Sequence, residues 1–216
     1  MSAQTGPAIT TTLNPALTGT TTNITQGQIG WALNGVKFDP STAETCPGKP
    51  YCPSGFTSTF NVEALGQTLF SAGVDGNNAH VQPNGAYHYH GMPDLYLTYL
   101  NKGQKLTLIG FASDGFPIYA KWGYNSAMDS TSGVRLMVPS YRIKATLDAG
   151  RVSSSVVAAG TFTQDWEYVA GLGDLDECNG RFGVTPEFPN GIYHYYLTTG
   201  YPYIQRCMKG TRSSNP

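Results

Sequence analysis

Three of the four histidines in this chain sit in two near-copies of one segment, Pro83-Asn84-Gly85-Ala86-Tyr87-His88-Tyr89-His90 and Pro189-Asn190-Gly191-Ile192-Tyr193-His194-Tyr195-Tyr196. A neutral imidazole offers one lone pair, so three that converge make a transition-metal site with a coordination position to spare. The Asn-Gly step predicts a tight turn. The alternation after it predicts a strand that sends His88 and His90 to one face and Tyr87 and Tyr89 to the other. If the two copies lie side by side, His194 completes the set, with His80 or Asp114 as a fourth ligand or an orienting group. All-nitrogen ligation suits copper or zinc, and the missing carboxylate argues against a non-haem iron triad. The rival outcome is a metal-free interior network in which each ring nitrogen meets a phenol or a carbonyl.

Other chemistries are less well supplied. Asp174 to Gly180 and Asp75 to Asn78 offer oxygen ligands for calcium, but neither follows the twelve-residue loop pattern, so turns closed by Asx hydrogen bonds are the preferred reading. Asp114-Gly115-Phe116-Pro117 is first a turn. Its functional alternative is a carboxylate beside a metal-bound water, with Tyr87 assisting. No Gly-x-Ser-x-Gly occurs, and the glycine-rich pieces do not follow a strand and open a helix as a nucleotide site requires. Trp31, Trp122, Trp166 and exposed tyrosines would suit a small-molecule or polysaccharide substrate, although most aromatic residues belong to the core. Asn23-Ile24-Thr25 matches the glycosylation acceptor pattern.

The elements that must position these groups read as strands and turns. Charged residues are 12% of the 216, glycines number 26 and prolines 14, and Tyr exceeds Phe by 14 to 9. This composition predicts a mainly β, single-domain sandwich or barrel-like fold with one or two short helices. Residues 1–28 read as a Thr-rich tail or edge strand, and residues 29–216 as the domain. A first hairpin runs from Ile29 through the Asn34-Gly35 turn to Phe38. Further strands are expected at Leu106–Phe111, Val134–Val138, Tyr141–Ile143 and within Thr161–Val169, with a helix from Pro93 to a stop at Gly103. The histidine segment is the one internal repeat read here.

Formal net charge is −1, which leaves no basic surface for nucleic acid or anionic lipid. No apolar run approaches the roughly 18 residues of a membrane span, and the first residues lack the features of a signal peptide. Four cysteines without a C-x-x-C pair predict two local disulfides, Cys46 with Cys52 and Cys178 with Cys207, and therefore an extracellular or periplasmic setting.

Tyr87-His88-Tyr89-His90 is an unusual tetrapeptide, and the chain resembles the YHYH-domain family, mostly extracellular proteins named for it. The likeness extends to Ala32–Pro40, Asn78–Pro83, Gly110–Tyr119 and Leu175–Gly180, and spans roughly residues 29 to 210. It implies a domain assignment and no mechanism. Pro83-x-Gly85-x-x-His88 and Pro189-x-Gly191-x-x-His194 are also similar to one piece of the cupin motif, but the Glu that customarily follows His-x-His is absent. The expectation is a secreted protein with one copper or zinc ion on His88, His90 and His194. It would be an oxidase or hydrolase, or else a non-catalytic structural or adhesion module that self-associates.

Overall fold

A computed structural model describes residues 11–213. Eight of its strands form one sheet, labelled in chain order: β1 (Gly30–Ala32), β2 (Lys37–Phe38), β3 (Ala79–Val81), β4 (Tyr87–Tyr89), β5 (Leu108–Ala112), β6 (Pro117–Tyr119), β7 (Gly180–Gly183) and β8 (Ile192–Tyr196). Their order across the sheet is β7-β8-β6-β5-β1-β2-β4-β3. Four two-stranded sheets surround it, pairing Thr22–Asn23 with Cys207–Met208, Thr45–Cys46 with Phe60–Asn61, Trp122–Tyr124 with Val134–Leu136, and Tyr141–Ile143 with Trp166–Tyr168. The mostly-β expectation holds, but among the described residues no barrel closes. The outer strands are met by loops instead of by each other: His80 of β3 bonds the Ala72 carbonyl, and Val184, just after β7, donates to Ala127.

The sheet is two copies of a four-strand unit. In each, a hairpin places its second strand parallel to the strand of the histidine segment, which then pairs antiparallel with the strand before it: β1-β2-β4-β3 and β5-β6-β8-β7. The units meet where β1 and β5 pair antiparallel, with Trp31 opposite Phe111 and Gly30 and Ala32 opposite Ala112 and Gly110. This register has a local two-fold through the Trp31–Phe111 pair. The repeat is therefore much larger than the histidine segment. Its sequence trace is Gly30-Trp31-Ala32-Leu33-Asn34-Gly35 against Gly110-Phe111-Ala112-Ser113-Asp114-Gly115.

Hydrogen bonds repeat with the strands. Asn34 Nδ2 donates to the Tyr89 hydroxyl at 2.8 Å, and in the other half the Tyr195 hydroxyl donates to Asp114 Oδ2 at 2.6 Å. Asp75 Oδ1 accepts the Asn77 and Ala79 amides while Tyr87 donates to Oδ2; Asp176 Oδ1 accepts those of Cys178 and Gly180 while Tyr193 donates to its carboxylate. Asn78 and Asn179 follow with φ of 53° and 59°, a conformation that Asn tolerates. Both acidic segments are thus Asx turns that launch β3 and β7.

The main core packs Phe38, Tyr89, Phe116, Ile118, Tyr193 and Tyr195 together. The helix runs Asp94–Leu100 and stops at Asn101, φ 47°, two residues before Gly103 because Asn itself takes the left-handed position. The Thr161–Val169 stretch opens with one 3₁₀ turn, Thr163–Asp165, since the Asp165 carboxylate accepts the Gly160 and Phe162 amides. Both disulfides form as expected. Thr22–Asn23 is an edge strand on the chain's own C-terminal strand, and residues 1–10 of the N-terminal segment lie outside the described residues.

At the unit boundary a Cβ on Gly110 would stand 2.3 Å from the Trp31 carbonyl oxygen, and one on Gly30 would stand 2.5 Å from that of Phe111. Gly35, by contrast, has φ of +82° with open space around its Cβ direction. Gly110→Ala is therefore expected to cost about 3 kcal/mol through overpacking against backbone, and Gly35→Ala about 1 kcal/mol through backbone conformation alone. Urea midpoints of the two variants check this; equal losses would contradict it.

Candidate metal centre

The pleat and the pairing register bring three histidines to one patch. His80 on β3 lies directly opposite His88 on β4, and His90 follows two residues later on the same face. The ring centroids are 4.7 Å apart for His80–His88, 4.9 Å for His80–His90 and 4.5 Å for His88–His90. One nitrogen from each lies within 4.8 Å of the others, a group able to hold a metal ion. His88 and His90 are 2% exposed, and His80 is half-buried.

The tautomers follow from the backbone. His80 Nδ1–H points at the Ala72 carbonyl and His88 Nδ1 at that of Ala86, 3.4 Å away, which leaves both Nε2 lone pairs free. His90 Nε2 stands 3.2 Å from His80 Nε2. Two imidazole nitrogens can face each other only with a proton or a cation between them. His90 Nδ1 is buried toward the Pro40 backbone without a hydrogen bond of normal geometry.

Burial favours the neutral form of His88 and His90. Desolvation, assisted by His88 and His80, pushes His90 down to about 3. It also lowers His88, against the opposing pull of the Asp39 carboxylate. Asp39 is 5% exposed and accepts from Gln82 Nε2 at 3.1 Å, with Lys37 Nζ 3.7 Å away. A cavity of about 460 Å³ opens onto all three histidines.

His194 is not in this cluster. Four strands separate β8 from β4, so about 24 Å lies between them at the usual strand spacing. The two histidine segments do not lie side by side because the two-fold sends each to the flank of its own half. By strand register, the counterparts of His80, His88 and His90 are Arg181, His194 and Tyr196. There the metal-free network is realised. His194 Nδ1 donates to the Ile192 carbonyl at 2.9 Å, Nε2 accepts from the Tyr196 hydroxyl at 2.9 Å, and Arg181 reaches that hydroxyl at 3.4 Å with its guanidinium over the ring. Tyr119 packs edge-on to His194, donates its hydroxyl to the Glu187 carboxylate and accepts from the Thr185 hydroxyl.

The two residues expected to assist chemistry stand elsewhere. Asp114 is 1% exposed and bonded to Tyr195, the Gly210 amide and, at 3.4 Å, the Phe116 amide; burial raises its carboxyl against those bonds. Tyr87 alternates to the other face from His88, where burial and the Asp75 carboxylate raise its phenol to about 12. Neither reaches the three-histidine patch. His80 carried the weaker signal in the sequence, and only the antiparallel register opposite His88 reveals it as a full partner.

A mostly-β, disulfide-bonded protein with a histidine cluster at one flank of a two-fold sheet is the class these features define. The chain belongs to the YHYH protein family, which it matches over residues 8–210. No curated protein and no solved structure matches it. Among the described residues no helix is long and apolar enough to cross a membrane.

His194 makes a pH test of the network half. Burial, with Arg181 adding to it, holds its ring at about 4, below the ordinary 6.5. Between those values the unfolded chain binds a proton that the folded chain refuses, so stability falls as pH drops from 6.5 toward 4. By pH 5 the loss from this ring is about 2 kcal/mol. In chelator-treated protein, His194→Gln should lower stability at pH 7 yet reduce the fall between pH 7 and 5 by that amount. An unchanged acid limb in urea titrations would contradict the assignment.

Proposed function

We propose that this chain is a secreted protein that holds one transition-metal ion, copper or zinc, on His80, His88 and His90. The observation that carries the reading is the convergence of three imidazoles with two Nε2 atoms 3.2 Å apart. That separation suits two ligands about 2.0–2.1 Å from a shared ion, subtending an angle near 100°. An ion answers the facing lone pairs of His80 and His90 together with that of His88, whereas a single proton answers only the first two. The buried Asp39 carboxylate offsets part of the charge such an ion brings. The other half supports this by contrast: where Arg181 supplies a resident cation, the histidine has a complete set of hydrogen bonds and nothing is left for an ion to do.

The two disulfides and the family support an extracellular or periplasmic location, where such bonds persist. The bound ion would polarise a water or a substrate oxygen, or carry redox chemistry if it is copper. His80 and His88 would keep their orientation through Ala72 and Ala86, and the cavity would admit the reacting molecule. The non-catalytic alternative, a structural or adhesion module, is favoured by the ion-free network that His194 builds in the same fold. Calcium has less support, because the carboxylates of Asp75 and Asp176 are already engaged by backbone amides and tyrosines.

Elemental analysis of untagged protein should find about one copper or zinc per chain. Replacing His80, His88 or His90 with Ala should weaken retention by more than the roughly 10–100-fold that loss of an outer-shell partner costs, while His194→Gln retains the ion. Full retention in both His88→Ala and His90→Ala would contradict the site.

A further inference from the structure

The two halves differ in what stands over their equivalent residues, and the difference says what the first half is open to. Over Arg181, His194 and Tyr196 the hairpin of Trp122–Tyr124 and Val134–Leu136 closes down. The Tyr124 carbonyl accepts from Arg181 at 2.9 Å, and a Cβ on Gly123 would come within 2.7 Å of the Tyr196 hydroxyl and 2.6 Å of Met137 Sδ. Over His80, His88 and His90 stands instead the cavity of about 460 Å³, a volume within the range of small-ligand sites.

Its walls have one character. Ala43, Phe70, Val81 and Pro83 make the apolar part, with Val81 61% exposed, and the remaining lining is neutral polar apart from the histidines and Glu44. No lysine or arginine lines it. Glu44 is tied in place by the Tyr51 hydroxyl at 2.5 Å and forms an ion pair with Lys49 at 3.2 Å, both on Oε2. Tyr51 packs on Phe70 with ring centroids 5.0 Å apart, and the Cys46–Cys52 disulfide closes the loop that carries it. The wall is thus a built surface of apolar and neutral polar side chains with a single acceptor carboxylate.

We propose that this cavity admits a small uncharged molecule with an apolar body to the open coordination position of the ion, and that Glu44 disfavours anions there. The inference rests on the three-histidine reading and adds the class of ligand. It separates a centre that receives an outside molecule from one that is only structural.

The test uses the full chain loaded with Co²⁺, whose visible absorption reports a change of ligand, and titrates it with imidazole as the neutral probe and azide as the anionic one. Imidazole should shift the spectrum saturably, and azide should need at least about tenfold more for half-saturation. Glu44→Gln should narrow that ratio severalfold. Ala43→Trp, at an exposed wall position, should keep the cobalt and raise the imidazole requirement tenfold or more; Val81→Trp does the same from the strand side if Ala43→Trp fails to fold. Bound cobalt with no imidazole response, or azide binding as tightly as imidazole, overturns the inference while leaving the metal site standing. A ratio unchanged in Glu44→Gln overturns the part assigned to the carboxylate. A chain that takes up no cobalt overturns the three-histidine reading and this inference together.

Discussion

Everything in this sheet is referred to one close approach, where β1 and β5 pair and the backbone beside Gly30 and Gly110 leaves no room for a Cβ. Side chains there would push the central strands apart, and each unit hangs from its central strand by a hairpin and a parallel pairing. The glycine pair therefore fixes the relation between the halves. It also decides that the two histidine segments lie far apart, each at its own flank, with four strands between them. Whatever chemistry a segment carries must be completed by its neighbour strand, which is why His80 and not His194 joins His88 and His90.

The two flanks show how one frame carries two outcomes. The Asx turn of Asp75 or Asp176, the left-handed Asn78 or Asn179 and the buried Tyr89 or Tyr195 set the backbone alike in both. Three exchanges then separate them: Arg181 for His80, Tyr196 for His90 and Tyr119 for Asp39. The guanidinium and phenol complete the hydrogen bonds of His194 and are shut in by a covering hairpin. Two more imidazoles and a carboxylate at the other flank bring ring nitrogens face to face beneath an open cavity. A buried polar group without a partner is costly, so the same economy that makes the network stable without an ion makes the histidine patch suited to hold one.

Much of this was legible in the residues, and the gaps have physical causes. Alternation placed His88 and His90 on one face and Tyr87 and Tyr89 on the other, the Asn34-Gly35 turn joined two strands and the Asn84-Gly85 turn preceded one as expected, and cysteine spacing identified both disulfides. Alternation says nothing of which strands are neighbours, so the partner of the histidine segment was not readable from it. The neighbours of β4 are β3, antiparallel with His80 opposite His88, and β2, parallel with Lys37 opposite His88. The four-strand repeat was not read from the sequence: its trace in Gly30-Trp31-Ala32 and Gly110-Phe111-Ala112 is short, and the halves have diverged in the spacing between their strands, which hides the period. Asp114 looked like a chemical group because a turn aspartate and a functional one share a sequence signature; its hydrogen bond to Tyr195 distinguishes them.

The central claim is that an ion is held by one half of a duplicated sheet and excluded by the other. Anomalous diffraction from crystals of the metal-loaded protein, collected on either side of the metal's absorption edge, tests it most directly. The account predicts one peak per chain, about 2.0–2.1 Å from a nitrogen of each of His80, His88 and His90, and none beside His194. A peak at His194, or loaded crystals whose only peak lies away from the three rings, would contradict it.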